Sequence, residues 1–464
     1  MFYNIIYMKY FLPFAIFLFV SITSIAQQND NYKSDSSQIK KIADEIMINS
    51  TAYKNLRTLC KDIGPRLSGS SKALQAVYEG KKMLEVAGAD TVYLQPCIVP
   101  YWVRGAKEEG YITINGVKEK IKLTSLGNSE GTNGKMLNAD IVEIKKIADF
   151  STKNVKGKIV FINIEMNPTY IKTNRAYGES GVGRRAGPSL AAKYGAVAVM
   201  VRSLASNEDD HPHTGATAYN DSFPKIPAVA ISTQMANKIS SVLQSGRVVK
   251  GMIKSNCKMM GTANSFNVIG EIRGTKFPEQ IITVGGHLDS WDLAEGAHDD
   301  GTGVVQSIEI IRSLRAQGIK PLRTIRAVLF MNEENGGGGS KAYFQNAKQK
   351  AEQHIFALES DAGGFTPRGF NLDMPLQKEQ KVKEWAPLFY PYGVYDFKEK
   401  GSGADTGPLK EIGTALAGLQ TDSQRYFDIH HAETDVFEAV SKRELDLGAL
   451  NMAALIWLVS EYGL

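Results

Sequence analysis

The last third of the chain alternates between short apolar runs and amphipathic segments. The apolar runs are rich in β-branched residues and bounded by turn residues, which is typical of buried strands, whereas the longer segments have helical periodicity. In order, the pattern predicts a strand at 281–284, helix 303–314, strand 324–331, helix 340–350, strand 354–358, strand 415–419 and helix 446–462. Such alternation predicts an α/β fold with a mostly parallel central sheet covered by helices on both faces.

The first two thirds of the chain follow a different order. Apolar residues recur at helical spacing from Ser37 to Leu59, and Gly and Pro at 63–70 end that predicted helix. A second helix at 71–87 and a strand at 90–100 follow. Residues 121–260 then read as a separate, β-rich or α/β unit. The predicted organisation is therefore one domain built from 27–120 and 261–464, with 121–260 inserted.

The N-terminus carries an apolar run of 17 residues, 10–26, which follows Lys9. Ser24 and Ala26 are small residues at the positions a signal peptidase requires. We predict a signal peptide cleaved after Ala26 and a secreted or periplasmic protein with no membrane span in its mature form. The alternative is a membrane anchor, for which the run is short of the usual span of about 20 residues.

The composition excludes several classes of protein. Hydrophobic residues make up 43% and charged residues 22% of 464, which is normal for a folded soluble protein. The net charge of +5 is mixed in sign along the chain, so no nucleic-acid partner is expected. The three cysteines form no Cys-x-x-Cys pair, and their odd number implies at least one free thiol or an intermolecular bond.

Acidic residues and histidines follow the predicted strands or precede the next helix in the last third of the chain. Ligands bind beyond the carboxyl ends of parallel strands, so these loops should converge on one rim. The residues concerned are His287, Asp289, His298, Asp299, Asp300, Glu333, Glu334, Glu359, Asp361, Asp422, His430 and His431.

Several carboxylates at one rim repel each other and need a positive partner. The loops 285–303 and 331–340 contain no Lys or Arg, so one or two divalent cations are the simplest partner. Mixed imidazole and carboxylate ligands favour zinc over manganese or cobalt, and disfavour calcium. Each motif alone is weak, because an Asp before a helix is often only an N-cap. The prediction depends on the whole set.

The ordered motifs resemble those of the co-catalytic zinc peptidases, a family that includes bacterial leucyl aminopeptidases and glutamate carboxypeptidase. The resemblance extends over nearly the whole mature chain. The motifs that carry it are Ile63-Gly64-Pro65-Arg66-Leu67-Ser68-Gly69-Ser70, Pro212-His213-Thr214-Gly215, Pro278-Glu279-Gln280, Gly286-His287-Leu288-Asp289-Ser290-Trp291-Asp292, Glu359-Ser360-Asp361-Ala362-Gly363 and His430-His431.

The resemblance implies an exopeptidase that uses two Zn²⁺ ions per chain to hydrolyse dipeptides or short peptides. It implies that His287 and Asp361 bind one zinc, that Glu334 and His431 bind the other, and that Asp299 bridges them. It further implies Glu333 as general base, Asp289 as the residue orienting His287, a cis bond between Asp299 and Asp300, and a protease-associated insert.

The substrate side of the predicted site is less defined. His430 or Tyr426 is a candidate donor to the oxyanion, and Ser402 and Asp405 either line the pocket or belong to a Gly-rich turn. The insert either supplies substrate contacts from 177–185 or shields the cleft and mediates a homodimer contact. No Arg follows the predicted strand 415–419 until Arg425, which disfavours strong glutamate selectivity. A general dipeptidase or aminopeptidase is the preferred prediction, and a carboxypeptidase stays open because neither a carboxylate for an N-terminal amine nor a basic clamp for a C-terminal carboxylate can be placed from the sequence.

Two other functions compete with this hypothesis. A glutaminyl-cyclase-like acyltransferase on the same scaffold needs a single zinc ion, whereas the five ligand-type residues favour two. A non-enzymatic binding protein that kept the fold but lost its ligands is disfavoured by the complete set.

Overall fold

The computed structural model describes residues 32–464. The predicted signal peptide, with its cleavage site after Ala26, lies outside the described residues. Among the described residues, no helix is both long and apolar enough to cross a membrane.

Strands of the described chain form two sheets. They are β1 (Thr91–Val103), β2 (Glu109–Ile114), β3 (Val117–Ile121), β4 (Leu123–Ser125), β5 (Leu137–Ile144), β6 (Ile159–Ile162), β7 (Ala198–Arg202), β8 (Ala228–Ile231), β9 (Val249–Lys254), β10 (Lys258–Ile272), β11 (Phe277–His287), β12 (Arg323–Phe330), β13 (Gln353–Glu359), β14 (Pro367–Asp373) and β15 (Ala415–Thr421).

The helices are α1 (32–49), α2 (Ala52–Arg57), α3 (Ser71–Val86), α4 (Thr173–Ser180), α5 (Val182–Arg185), α6 (Gly187–Lys193), α7 (Thr233–Gln244), α8 (Thr302–Ala316), α9 (Gly338–Gln349), α10 (Leu376–Glu384), α11 (Ala386–Phe389), α12 (Tyr426–Ile429) and α13 (Lys442–Tyr462). Short helical turns of other pitch lie at Thr58–Ile63, Ile147–Ser151, Ala297–Gly301, Tyr390–Tyr392, Gly407–Ile412 and Phe437–Ala439.

The first sheet has seven strands in the order β1-β10-β12-β11-β13-β15-β14. Its central strands β12, β11, β13 and β15 are parallel, as the alternating pattern predicts. The outer strands β1, β10 and β14 pair antiparallel, so the complete sheet is mixed. The α/β fold with helices on both faces is thus confirmed, and the parallel part is its centre.

Both faces of this sheet are buried. Helices α3, α8 and α13 pack on one face, and α9 packs on the other. Neighbouring residues on one strand belong to different cores: Val268 faces the α8 side and Ile269 faces the α9 side. Burial on both faces explains why the central strands are apolar without alternation.

The second sheet has eight strands in the order β3-β2-β9-β5-β6-β7-β8-β4. All of its strands lie in the sequence between β1 and β10, and α4 to α7 accompany them. Its two faces pack into separate apolar clusters around Phe161 and Val160. The sheet begins at Glu109, before the predicted boundary at 121. We call residues 104–257 the insert.

The predicted helix from Ser37 to Leu59 is interrupted. Helix α1 ends at 49, and α2 begins at Ala52. The backbone N–H of Thr51 donates to the buried carboxylate of Glu309 at 3.1 Å, and that of Ala52 donates to Ser50 Oγ at 3.1 Å. These side-chain acceptors take backbone donors out of the helical ladder, which is how Ser and acidic residues break helices.

Candidate active site

The carboxyl ends of the parallel strands meet at one edge of the first sheet, and the predicted metal ligands lie there. His287 is the last residue of β11, and Asp361 follows β13 by two residues. Glu334 follows β12, and Asp299 lies in the turn before α8. His431 follows α12 with a left-handed φ of 62°. Five separate loops thus bring these side chains together.

Close approach of the loops depends on glycine. A Cβ on Gly286 would lie 2.4 Å from Asp300 Oδ2, and one on Gly303 would lie 2.0 Å from the carbonyl oxygen of Ser360. Asp300 therefore reaches the strand and accepts from the backbone N–H groups of His287 and Gly303, each at 3.0 Å. Asp300 is a structural acceptor that ties the turn to β11. The Asp299–Asp300 peptide bond is cis.

Two groups of potential ligand atoms share Asp299. On one side, His287 Nε2 lies 3.1 Å from Asp299 Oδ1 and 3.5 Å from Asp361 Oδ1. On the other side, His431 Nε2 lies 3.2 Å from Asp299 Oδ2 and 3.2 Å from Glu334 Oε2. Each oxygen of Asp299 therefore faces a different histidine, which is the arrangement a carboxylate bridging two cations requires.

His430 lies on the same side as His431. Its ring stacks on that of His431 at 3.6 Å, and its Nε2 lies 3.6 Å from Asp299 Oδ2. Potential ligand atoms of Asp299, His430 and His431 all lie within 4.8 Å of one another, as do those of His287, Asp299 and Asp361. His430 is thus as close to this side of Asp299 as a ligand would be, although the sequence suggested it as a substrate contact.

The charges of this cluster fit divalent cations. Among the basic side chains of the described chain, only histidines lie within 4.0 Å of the carboxylates of Asp299, Glu334 and Asp361. Asp299 Oδ2 and Glu334 Oε1 are buried without a hydrogen-bond partner. Buried acidic oxygens without partners are costly unless a cation neutralises them. The donor set of imidazoles and carboxylates suits zinc.

The pKa values of the side chains in this cluster are shifted by burial and by their charged neighbours. Burial, followed by the charge of Asp299, raises the pKa of Glu334 to about 7. Burial and nearby carboxylates also raise the pKa of Glu333 well above its usual range. Against the opposing effect of burial, Asp361 and Glu334 respectively raise the pKa values of His287 and His431 well above normal. Protons thus compete for the same positions as metal ions.

Asp289 holds the site in a way that the sequence did not predict. His287 Nδ1 donates to the backbone carbonyl of Asp289 at 2.9 Å, whereas the Asp289 carboxylate is 4.0 Å away. That carboxylate accepts instead from the backbone N–H groups of Asn332 and Glu333 at 2.6 and 3.1 Å. One residue therefore fixes both the His287 ring and the turn that carries Glu333.

Two further residues hold the loops and were not assigned roles from the sequence. Arg66 is 0% exposed and donates to the carbonyls of Leu288, Glu295 and Gly296 at 2.5–2.9 Å. It lies in the Gly64-to-Gly69 motif, which was the only available signal. Asp435 accepts from the backbone N–H groups before the cis bond, at 2.8 and 3.1 Å, and no sequence motif identifies it.

A cavity of about 480 Å³ opens onto the cluster. Its walls come from the insert and from the loops at the edge of the first sheet, and the lining includes Glu333, Tyr426, Tyr177, Arg184 and Arg185 as well as both predicted ligand sides. The size is in the range of small-ligand sites. The segment 177–185 of the insert therefore borders the same space as the candidate ligands.

Other predicted substrate contacts do not line this cavity. Ser402 and Asp405 are absent from its walls. The backbone N–H groups of Asp405 and Thr406 donate to the buried carboxylate of Glu359 at 3.1 and 2.7 Å, so this loop supports the end of β13.

His213 is buried, with neither ring nitrogen hydrogen-bonded. All three cysteines are buried and free.

Comparisons with known proteins identify the family of this chain. The model of peptidase family M28 matches residues 267–456. Carboxypeptidase Q of Homo sapiens is 33% identical over 416 residues, which are 89% of this chain and 84% of that protein. Carboxypeptidase Q of Bos taurus is also 33% identical, with the same two shares. The resemblance inferred from the motifs is therefore confirmed.

Solved structures agree on the architecture. A peptidase M28 precursor from Shewanella amazonensis superposes with a TM-score of 0.88 at 30% identity, over 92% of this chain and 97% of that one. An aminopeptidase from Aneurinibacillus sp. strain AM-1 gives a TM-score of 0.61 at 22% identity, over 91% and 96%. The second likeness shows the fold alone.

Proposed function

The chain belongs to peptidase family M28, the zinc-dependent exopeptidases, and on this premise we propose that it hydrolyses dipeptides or short peptides with two zinc ions. The observation that carries the proposal is the pair of ligand groups that share Asp299. We propose His287 and Asp361 as ligands of one zinc and Glu334 and His431 as ligands of the other.

When bound, zinc supplies Lewis acidity to the peptide carbonyl and to water. Glu333 is the proposed general base, because it faces the cavity and its turn is held by Asp289. It accepts the proton of the attacking water at a carboxylate oxygen and passes it to the leaving amine nitrogen. His430 or Tyr426, which both line the cavity, donates to the developing oxyanion.

The proposed substrate has a free C-terminal carboxylate. Arg185 is exposed at the cavity, and no described residue forms an ion pair or side-chain hydrogen bond with its guanidinium. Its backbone is anchored, since its carbonyl accepts from the N–H of Ala218 at 2.9 Å. Among residues 32–464, the acidic side chains in the cavity wall are the proposed ligands and Glu333, so none of them is left to bind an N-terminal amine.

The experiment is metal analysis together with a dipeptide panel, with and without chelator. We expect two zinc ions per chain, turnover abolished by chelator, and weaker turnover of C-terminal amides than of free acids. Arg185→Met should remove the preference for the acid, whereas the matched control Arg175→Met, on the exposed side of α4, should keep it. One zinc ion per chain with cyclisation of N-terminal glutamine would favour the acyltransferase alternative.

We propose export from the cytoplasm, on the basis of the predicted signal peptide. We also propose that the insert, which the sequence predicted as residues 121–260, is a protease-associated domain. A homodimer stays a prediction, and sedimentation analysis of the mature chain tests it.

A further inference from the structure

The two histidines on either side of Asp299 are held by different parts of the protein. His287 Nδ1 pairs with the carbonyl of Asp289, two residues further along the same loop. His431 Nδ1 faces the carbonyl of Thr214 at 3.3 Å, and Thr214 is 217 residues away in the sequence. The backbone N–H of Thr214 also donates to the carbonyl of His431 at 2.9 Å. The insert therefore holds one candidate ligand but not the other.

Arg184 contacts the carbonyl of Thr214 that faces His431. Its Nη1 lies 3.3 Å from the carbonyl oxygen of Thr214 and its Nη2 donates to Tyr177 Oη at 2.6 Å. Arg184 is 6% exposed, and its guanidinium lies next to Gly215, where a Cβ would clash with Arg184 Cζ. Arg184 has no carboxylate partner within 4.0 Å in the described chain, so a structural ion pair does not explain its burial.

We propose that Arg184 is a positioning residue for the metal site that contains His431. By holding the Thr214 carbonyl, it orients the His431 ring so that Nε2 points at Asp299 and Glu334. The insert is then a part of one metal site and not only a cover over the cleft. This inference rests on the two-zinc function proposed above, and it predicts that the two zinc sites differ in their dependence on the insert.

Electrostatics alone predicts the opposite effect. Arg184 Nη1 lies 3.4 Å from His431 Nδ1, and a fixed positive charge beside a cation site weakens metal binding by repulsion. If charge were its only influence, removing Arg184 would tighten zinc binding. If Arg184 positions His431, removing it should weaken binding, because partners of a ligating histidine typically contribute about 10–100-fold to metal affinity. The sign of the change in zinc affinity therefore distinguishes charge repulsion from positioning of His431.

The test is a zinc titration of the metal-free full-length protein in competition with a chromophoric chelator. We expect two binding steps in the wild type, and in Arg184→Met one step weakened about 10–100-fold and the other unchanged. Arg184→Lys keeps the charge but loses the planar fork, so it should show an intermediate loss. Tyr177→Phe removes one anchor of the guanidinium and should show a smaller loss at the same step.

Arg175→Met is the matched control, because Arg175 lies on the neighbouring helix with its guanidinium 4.9 Å from the ring of Tyr170. It should give the two wild-type steps. Near-ultraviolet circular dichroism checks the folding of each variant. If Arg184→Met does not fold, the zinc titrations of Arg184→Lys and Tyr177→Phe test the inference in its place. Tighter binding, no change, or equal weakening of both steps overturns the inference alone. A wild type that binds fewer than two zinc ions overturns the proposed function as well.

Discussion

Replacing Glu333 by Gln tests the proposed base with little change of shape. The backbone N–H of residue 333 would still donate to Asp289, and the side chain makes no hydrogen bond that Gln would lose. Glu334, Asp299 and Asp361 each lie within 3.5 Å of a histidine nitrogen, so none of them is free to replace the base. Zinc content should therefore be unchanged while proton transfer is lost.

The size of the expected decrease in kcat/KM depends on whether another carboxylate could replace Glu333 as the base. A positioned general base contributes about 10²–10⁴-fold to the rate. Because the part of the chain that the structure describes supplies no second free carboxylate to the cavity, the loss in kcat/KM should lie near the upper end of this range. A 10⁴-fold loss corresponds to about 5 kcal/mol in the barrier. The assay is steady-state kcat/KM on a dipeptide, with zinc measured on the same samples. Glu384→Gln, an exposed exchange on α10, is the control and should behave as wild type.

A decrease in kcat/KM smaller than about tenfold, with full zinc content, would refute the assignment of Glu333. Loss of zinc in Glu333→Gln would instead show that Glu333 is a ligand.

Three further predictions concern stability. Chelation should lower the thermal midpoint, because it leaves buried carboxylates uncompensated; an unchanged midpoint in a calorimeter would argue against a bound metal. Asp435→Ala leaves two backbone N–H groups near Asp299 unpaired, so it should lower the free energy of unfolding by about 1–3 kcal/mol for each of them and also lower the zinc content. A denaturant midpoint and a zinc content equal to those of the wild type would contradict this. Although burial opposes it, hydrogen bonds from His354 and Arg326 lower the pKa of Glu352 to about 2 from 4.5. That stabilisation is present above pH 4.5 and lost as pH falls towards 2, so Glu352→Gln should cost about 1–3 kcal/mol at pH 7 and much less near pH 2, measured by urea unfolding at both pH values.

The helices and central strands of the first sheet could be predicted from the sequence, because their periodicity depends on residues close together in the chain. The structure places β11, β12 and β13 within a few residues of the predicted ranges. The strand ends could then be searched for ligands, since parallel strands present their carboxyl ends at one edge. That argument gave twelve candidates, and five of them lie around Asp299 in the structure: His287, Glu334, Asp361, His430 and His431.

Other elements carried no such local signal. Edge strand β14 and the antiparallel pairing of β10, which lies between β1 and β12, were not predicted, because the direction of a strand depends on where the chain re-enters the sheet. The helix α7 of the insert was missed as well. The extent of the insert differs at its start for the same reason, since β2 pairs with β9, a distant strand.

What the sequence determined by itself is the set of chemical groups and the strands that carry them. What only the tertiary structure decided is which group each one touches. The carbonyl of Asp289, not its carboxylate, accepts from His287, and Thr214 of the insert faces His431. Local periodicity is a property of neighbouring residues, whereas a contact across 217 residues depends on how every intervening element packs.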